Sequence, residues 1–172
     1  MKKIFLIAFA MVTLASCEPS LKTGFIDNSE VVNNYQEKID IEAKFKAKVE
    51  AFQKRTDSTG RAFQLEAQAF QQKAQKMPDA QAQQEYQVLS QKQQMLQQGI
   101  QAEEQQISQE SQAEIDSLIS KVRNFVKDYG KKNGYSYIFG SNEGGSVMYG
   151  EESNDITQTI LDALNANYKK ED

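Results

Sequence analysis

Histidine and tryptophan are missing from the 172 residues, cysteine occurs once and proline twice. Without histidine there is no imidazole to serve as a general base or to complete a Ser-His-Asp triad. A single cysteine leaves no intrachain disulfide, and with no histidine beside it no Cys/His metal cluster. Basic residues do not outnumber acidic ones. The formal charge is −4, so nothing suggests a general attraction to nucleic acid. Long apolar runs are equally scarce, and the run from Ile4 to Val12 is too short to span a bilayer comfortably.

What the chain does have is a long helical pattern. From Ile41 to Tyr129 apolar residues recur at Phe45, Val49, Phe52, Phe63, Phe70 and Met77, at intervals of three and four once Thr56, Thr59, Ala67 and Ala74 are admitted as weak seam members, and the same beat returns at Tyr86, Leu89, Leu96, Ile100, Ile107, Ile115, Leu118, Val122, Phe125 and Tyr129, with Gln93 and Glu103 as polar occupants. This spacing predicts a narrow apolar seam on each of two helices, the pattern of a coiled coil with a 3.5-residue period. Between them Met77-Pro78-Asp79 predicts a bend: Pro78 lacks a backbone donor and disfavours helix at Met77, while Asp79 can cap the next helix. Folding back there pairs positions whose numbers sum to about 156, Phe70 with Tyr86 among them. Such an arm reaches ~70 Å at ~1.5 Å per residue, and is too thin for a globular core. Glutamine supplies 19 of the 49 residues from 64 to 112, mainly between seam positions. A good helix former placed there reads as a solvated helix surface rather than a disordered tract. Gly60 and Gly99 interrupt the two helices at nearly opposite heights.

The N-terminus reads as an address. Lys2 and Lys3, the apolar run and Leu14-Ala15-Ser16-Cys17 have the layout of a secretory signal over residues 1–16. The Leu-Ala-Ser-Cys ending resembles the bacterial lipoprotein signal, in which the cysteine is acylated, so Cys17 is the expected lipidation site and 17–22 a short tether. Removing residues 1–16 leaves 18 basic against 24 acidic side chains. Acyl chains at ~0.8 kcal/mol per buried CH₂ give stable membrane attachment.

The ends of the chain predict a small α/β body, residues 23–35 and 130–172, carrying the arm of residues 36–129. Thr23–Asp27 reads as a strand, and Asp27 with Glu30 as a capping box. Near Gly130 the period changes to two: Tyr135, Tyr137 and Phe139 alternate with Ser136 and Ile138. Residues 141–145 supply a turn and Ser146–Tyr149 a returning strand. Asp155 and Gln158 then cap a final helix. The fold class expected is therefore α+β, mainly α: a long antiparallel hairpin on a three-stranded body too small to be stable alone, which oligomerises through Tyr137, Phe139, Val147 and Tyr149.

This order of Gly24-Phe25-Ile26-Asp27, short helix, helical hairpin, Tyr137-Ile138-Phe139, Val147-Met148-Tyr149 and Asn154-Asp155-Ile156-Thr157 with Leu164-Asn165 resembles the Skp/OmpH family of periplasmic outer-membrane-protein chaperones, over residues 22–168. The resemblance implies a homotrimer whose β body holds three arms around a cavity. Unfolded outer-membrane β-barrel proteins are held there without ATP, in the periplasm of a Gram-negative bacterium. It implies no catalytic residue, cofactor or metal. This chain differs in being acidic and in bearing the lipoprotein signature, which would anchor it to the inner or outer membrane, and no lipid-binding site is carried over. Counted in heptads, Leu65, Val88 and Met95 all fall at c positions in the half of the arm nearest Pro78, on one face, and are the expected client contacts. The alternative is a structural α-hairpin lipoprotein that spaces or bridges envelope components. An enzyme is not expected: Glu103-Glu104 and Glu151-Glu152 are adjacent pairs that do not converge.

Overall fold

The computed structural model describes residues 21–142 and 146–171. The expected signal, Cys17 and most of the tether lie outside them, as do residues 143–145 of the expected turn. Strand β1 (Thr23–Asp27) leads into helix α1 (Asn28–Asn34), then α2 (Gln36–Ala74), α3 (Asp79–Lys132), strand β2 (Tyr137–Ser141), a 3₁₀ turn (Glu152–Asn154) and helix α4 (Thr157–Glu171). Helices of 39 and 54 residues extend ~58 and ~80 Å at ~1.5 Å per residue.

Helix ends follow local chemistry, with two departures from expectation. The Asp27 carboxylate accepts the Ser29 and Glu30 N–H groups at 2.8 and 3.0 Å, and so caps α1. The reciprocal half of the box is replaced: the Asp27 N–H donates to Thr157 Oγ1, 2.9 Å away in α4. Tyr35, in extended conformation, separates α1 from α2. At the bend Pro78 itself is the N-cap residue of α3, its carbonyl accepting from Gln81 and Ala82, and Asp79 sits in the first turn. Helix α3 passes through Gly130, which packs against Ile138. It stops before Gly134, whose φ of +71° is the left-handed conformation that favours glycine.

The body differs from expectation in its sheet. β1 and β2 pair in parallel, in the register Thr23↔Tyr137 to Asp27↔Ser141, and among the described residues the sheet has two strands. The entire arm is the crossover between them, since a parallel pair cannot be closed by a tight turn. Ser146–Tyr149 forms no strand with β2. The chain instead returns across the far edge of β1, where Phe25 bridges Asp155 and its carbonyl accepts the Ile156 N–H at 3.0 Å.

The core sits where the arm joins the body. Ile26, Val31, Tyr35, Leu118, Val122, Ile156, Ile160, Leu161 and Leu164 are buried together. Polar ties lock α4 to the root of the arm. Asn165 Oδ1 accepts the Gln36 N–H at 2.9 Å, the Tyr168 hydroxyl donates to Asp40 at 3.1 Å, and the Tyr35 and Tyr168 rings meet edge to face.

Candidate functional site

Outside this core, the described residues line grooves that open to solvent. Among the described residues no group of His, Cys, Asp or Glu is arranged to hold a metal ion. No described helix is long and apolar enough to cross a membrane. Glu103 is drawn across the hairpin to Arg55.

The hairpin is built on a thin seam. Phe45 and Ile107 are buried, and the rest of the contact stripe is half-buried. Its inward positions run Ile41, Phe45, Lys48, Phe52, Thr56, Phe63, Ala67, Phe70 and Ala74 on α2, with Met77 in the bend just beyond it. From first to last that is about ten turns of 3.6 residues, the period of straight helices, and not the 3.5 of a supercoil. A heptad frame drifts by ~20° per repeat against such a helix. Two expected seam residues consequently fall outside: Val49 is 38% exposed and Tyr86 63%, although the Tyr86 ring still lies 6.5 Å from that of Phe70.

Charges complete the hairpin. Lys121 pairs with Glu37 at 2.9 Å and Lys44 with Glu114 at 2.6 Å, and the pairs Lys48–Glu110, Arg55–Glu103 and Lys92–Glu66 continue the row. In each pair the numbers sum to 158, two away from the expected register. At ~100° per residue the five positions on each helix fall within about 40° of one another, so every bridge lies on the same side of the seam. This ion row was missed in the sequence, although its spacings of 7, 4, 7 and 11 were there to be read. The Lys48 ammonium, with help from Gln106, holds the Glu110 carboxyl below its ordinary value. All five pairs face solvent, so each contributes little on its own.

Leu65, Val88 and Met95 are exposed at 67%, 65% and 64%. On the same wheel each lies about a fifth of a turn beyond the ion row, away from the seam. The three therefore share one side of the hairpin, in the half nearest the bend. Val88 also lines an open groove of about 280 Å³ with Glu66, Ala69, Lys73, Glu85 and Lys92. In the body, Tyr137 and Phe139 stack with ring centroids 5.9 Å apart on the outer face of β2 and are half-exposed. Tyr149 is exposed and Val147 half-buried. None of these four belongs to the core of the single chain, which is formed instead by α1, α3, α4 and β1.

The family model described as outer membrane protein (OmpH-like) matches residues 22–164. The chain belongs to the OmpH-like family. No curated protein matches it. Among solved structures, a putative OmpH-like outer membrane chaperone from Caulobacter crescentus CB15 superposes with a TM-score of 0.75 at 15% identity, with 87% of each chain covered. At that identity the likeness establishes the fold: long helices on a small sheet, as described above.

Proposed function

We propose that this OmpH-like protein is an ATP-independent periplasmic holdase that binds unfolded outer-membrane β-barrel proteins between helical arms. The observation that carries this reading is the family match over residues 22–164, joined to a hairpin of helices ~58 and ~80 Å long that keeps Leu65, Val88 and Met95 exposed. The family gives a chaperone-type role toward outer membrane proteins. Holding, its stoichiometry and its location extend that role.

In this reading three copies assemble through the body around Tyr137, Phe139, Val147 and Tyr149. Leu65, Val88 and Met95 face the client, and Cys17 carries the lipid that ties the assembly to the inner or outer membrane. Each client contact is weak, on the order of 1 kcal/mol, and binding comes from many of them at once. No cofactor is required. The alternative, a structural hairpin that spaces envelope components, draws on the ion row, which ties the two helices together along the arm.

Native mass measurement of the Cys17→Ser protein, alone and with an unfolded outer-membrane barrel, tests the reading. The expected result is a trimer that binds one barrel and suppresses its aggregation. A trimer that leaves aggregation unchanged would favour the spacer. Membrane fractionation of the wild type and Cys17→Ser tests the anchor separately, since only the acylated form should sediment with membrane.

A further inference from the structure

Charge is unevenly spread along α3. From Asp79 to Ser120 the helix carries one basic side chain, Lys92, against seven acidic ones. From Lys121 to Lys132 it carries five basic side chains, Lys121, Arg123, Lys127, Lys131 and Lys132, against Asp128 alone. Lys121 is taken up by Glu37 across the hairpin. The other four are exposed and form no ion pair among the described residues. In a chain whose formal charge is −4, they make a localised basic patch. The helix dipole accounts for cations in the last turn, Lys131 and Lys132. It does not reach back to Arg123 and Lys127, which continue the line from Lys131 at four-residue spacing on one face of the helix.

The same end of the molecule receives the N-terminal chain. Lys22 Nζ donates to the Asn133 carbonyl at 2.9 Å and lies 4.0 Å from the centre of the Tyr135 ring, and the Lys22 carbonyl accepts the Ser136 N–H at 2.8 Å. Leu21, next in the chain, is 69% exposed. Cys17 precedes Leu21 by four residues, and an extended chain spans at most ~3.6 Å per residue. An acylated Cys17 therefore holds this end within ~14 Å of the bilayer, while the bend lies ~80 Å away along α3. A reach of that size is comparable with the screening length of ~8 Å at physiological ionic strength, so headgroup charge is felt here and not at the bend. The acidic pair Glu151-Glu152 belongs to the returning chain beyond β1, at the other edge of the sheet.

We propose that this end of the molecule, with Lys127, Lys131 and Lys132 at its centre and Leu21 beside them, seats on the anionic phospholipid headgroups of the bilayer that carries the anchor. The proposal rests on the Cys17 reading above for its address, whereas the surface belongs to the folded chain. Basic side chains match the negative surface potential, an exposed leucine suits the headgroup boundary, and a lipid chain joined to a basic patch anchors more stably than either alone. Seated in this way, the arm points away from the bilayer. Its outer half, with Leu65, Val88 and Met95, is presented to the space beyond instead of lying on lipid.

Sedimentation of the Cys17→Ser protein with vesicles of phosphatidylcholine alone, or of phosphatidylcholine with phosphatidylglycerol, tests the surface without the acyl chain. Binding is expected to the anionic vesicles only, and it should weaken as salt is raised. Lys127→Gln with Lys131→Gln and Lys132→Gln should lower it by about tenfold or more. Lys46→Gln with Lys54→Gln and Arg61→Gln removes the same charge from exposed positions of α2, and should leave binding within about twofold. A dye on Ser136→Cys should be quenched by headgroup-labelled lipid, and one on Ala80→Cys, beside the bend, should not. No binding to anionic vesicles, equal binding to both kinds, equal losses in the two triple variants, or quenching at the bend instead overturns the proposal. Each of these leaves the anchor reading to membrane fractionation. An unmodified Cys17 in a protein that still binds anionic vesicles removes the anchor reading and supports the surface.

Discussion

At the scale of single residues, the cross-helix charges of the arm can be probed by pH. Glu110 accepts from Lys48 on the facing helix and from Gln106 on its own, which lowers its carboxyl below the ordinary value of 4.5. A carboxyl whose folded value is depressed adds stability that is present above its unfolded value and is lost as pH falls through the folded one. Lys48→Met removes the main donor and returns Glu110 toward its ordinary value. The variant should therefore lose less stability than the parent between about pH 7 and about pH 3. Urea midpoints for the two proteins at the two pH values measure it; equal shifts would show that the pair contributes nothing beyond its neighbours.

At the scale of elements, the seam was legible because helical periodicity depends only on local spacing. The bend was legible because proline acts on its own backbone, and the register because a bend fixes it. Three features were not. Val49 and Tyr86 left the seam because a 3.5 and a 3.6 frame agree over two turns and part over ten. The pairing of β1 with β2 escaped because nothing local in Tyr137–Ser141 distinguishes a partner ~110 residues upstream from one a few residues downstream. The Thr157 contact that completes the α1 cap is equally non-local. The glycines offer a test at this scale. A methyl added at Gly60 or Gly99 meets no atom within 4 Å, and both sit inside continuous helix. Gly60→Ala and Gly99→Ala should each stabilise the arm by up to ~1 kcal/mol, read as a higher urea midpoint. If the pair together also lowers holding of an unfolded barrel while stability rises, compliance at that height is part of function.

At the scale of the whole molecule, the chain divides its tasks by position. Buried area is concentrated at the root, where Tyr35, Leu118, Ile160 and Leu164 close the core, while the outer arm buries almost nothing and relies on a seam one residue wide. Apolar side chains kept exposed out there do not stabilise this fold, so replacing them should leave the fold unchanged. Leu65, Val88 and Met95 are each about two-thirds exposed and share a side, which makes them the cleanest set to replace. The triple variant Leu65→Ser, Val88→Ser, Met95→Ser should keep its native mass and helical content. In a trimer it removes nine apolar contacts at once, and at roughly 0.5–1 kcal/mol per contact for those a client engages together, even a few lost contacts weaken holding by more than tenfold. Single replacements, which remove at most a third of these contacts, should weaken it less than the triple variant does. Aggregation of a urea-unfolded outer-membrane barrel, followed by light scattering on dilution into each variant, measures the effect. Unaltered suppression by the triple variant would move the client to the opposite side of the arm. There Gln53, Ser108 and Gln112 line a groove with Phe45, Val49, Phe52 and one charged residue, Glu104, and Gln53→Glu with Ser108→Glu would be the next pair to compare.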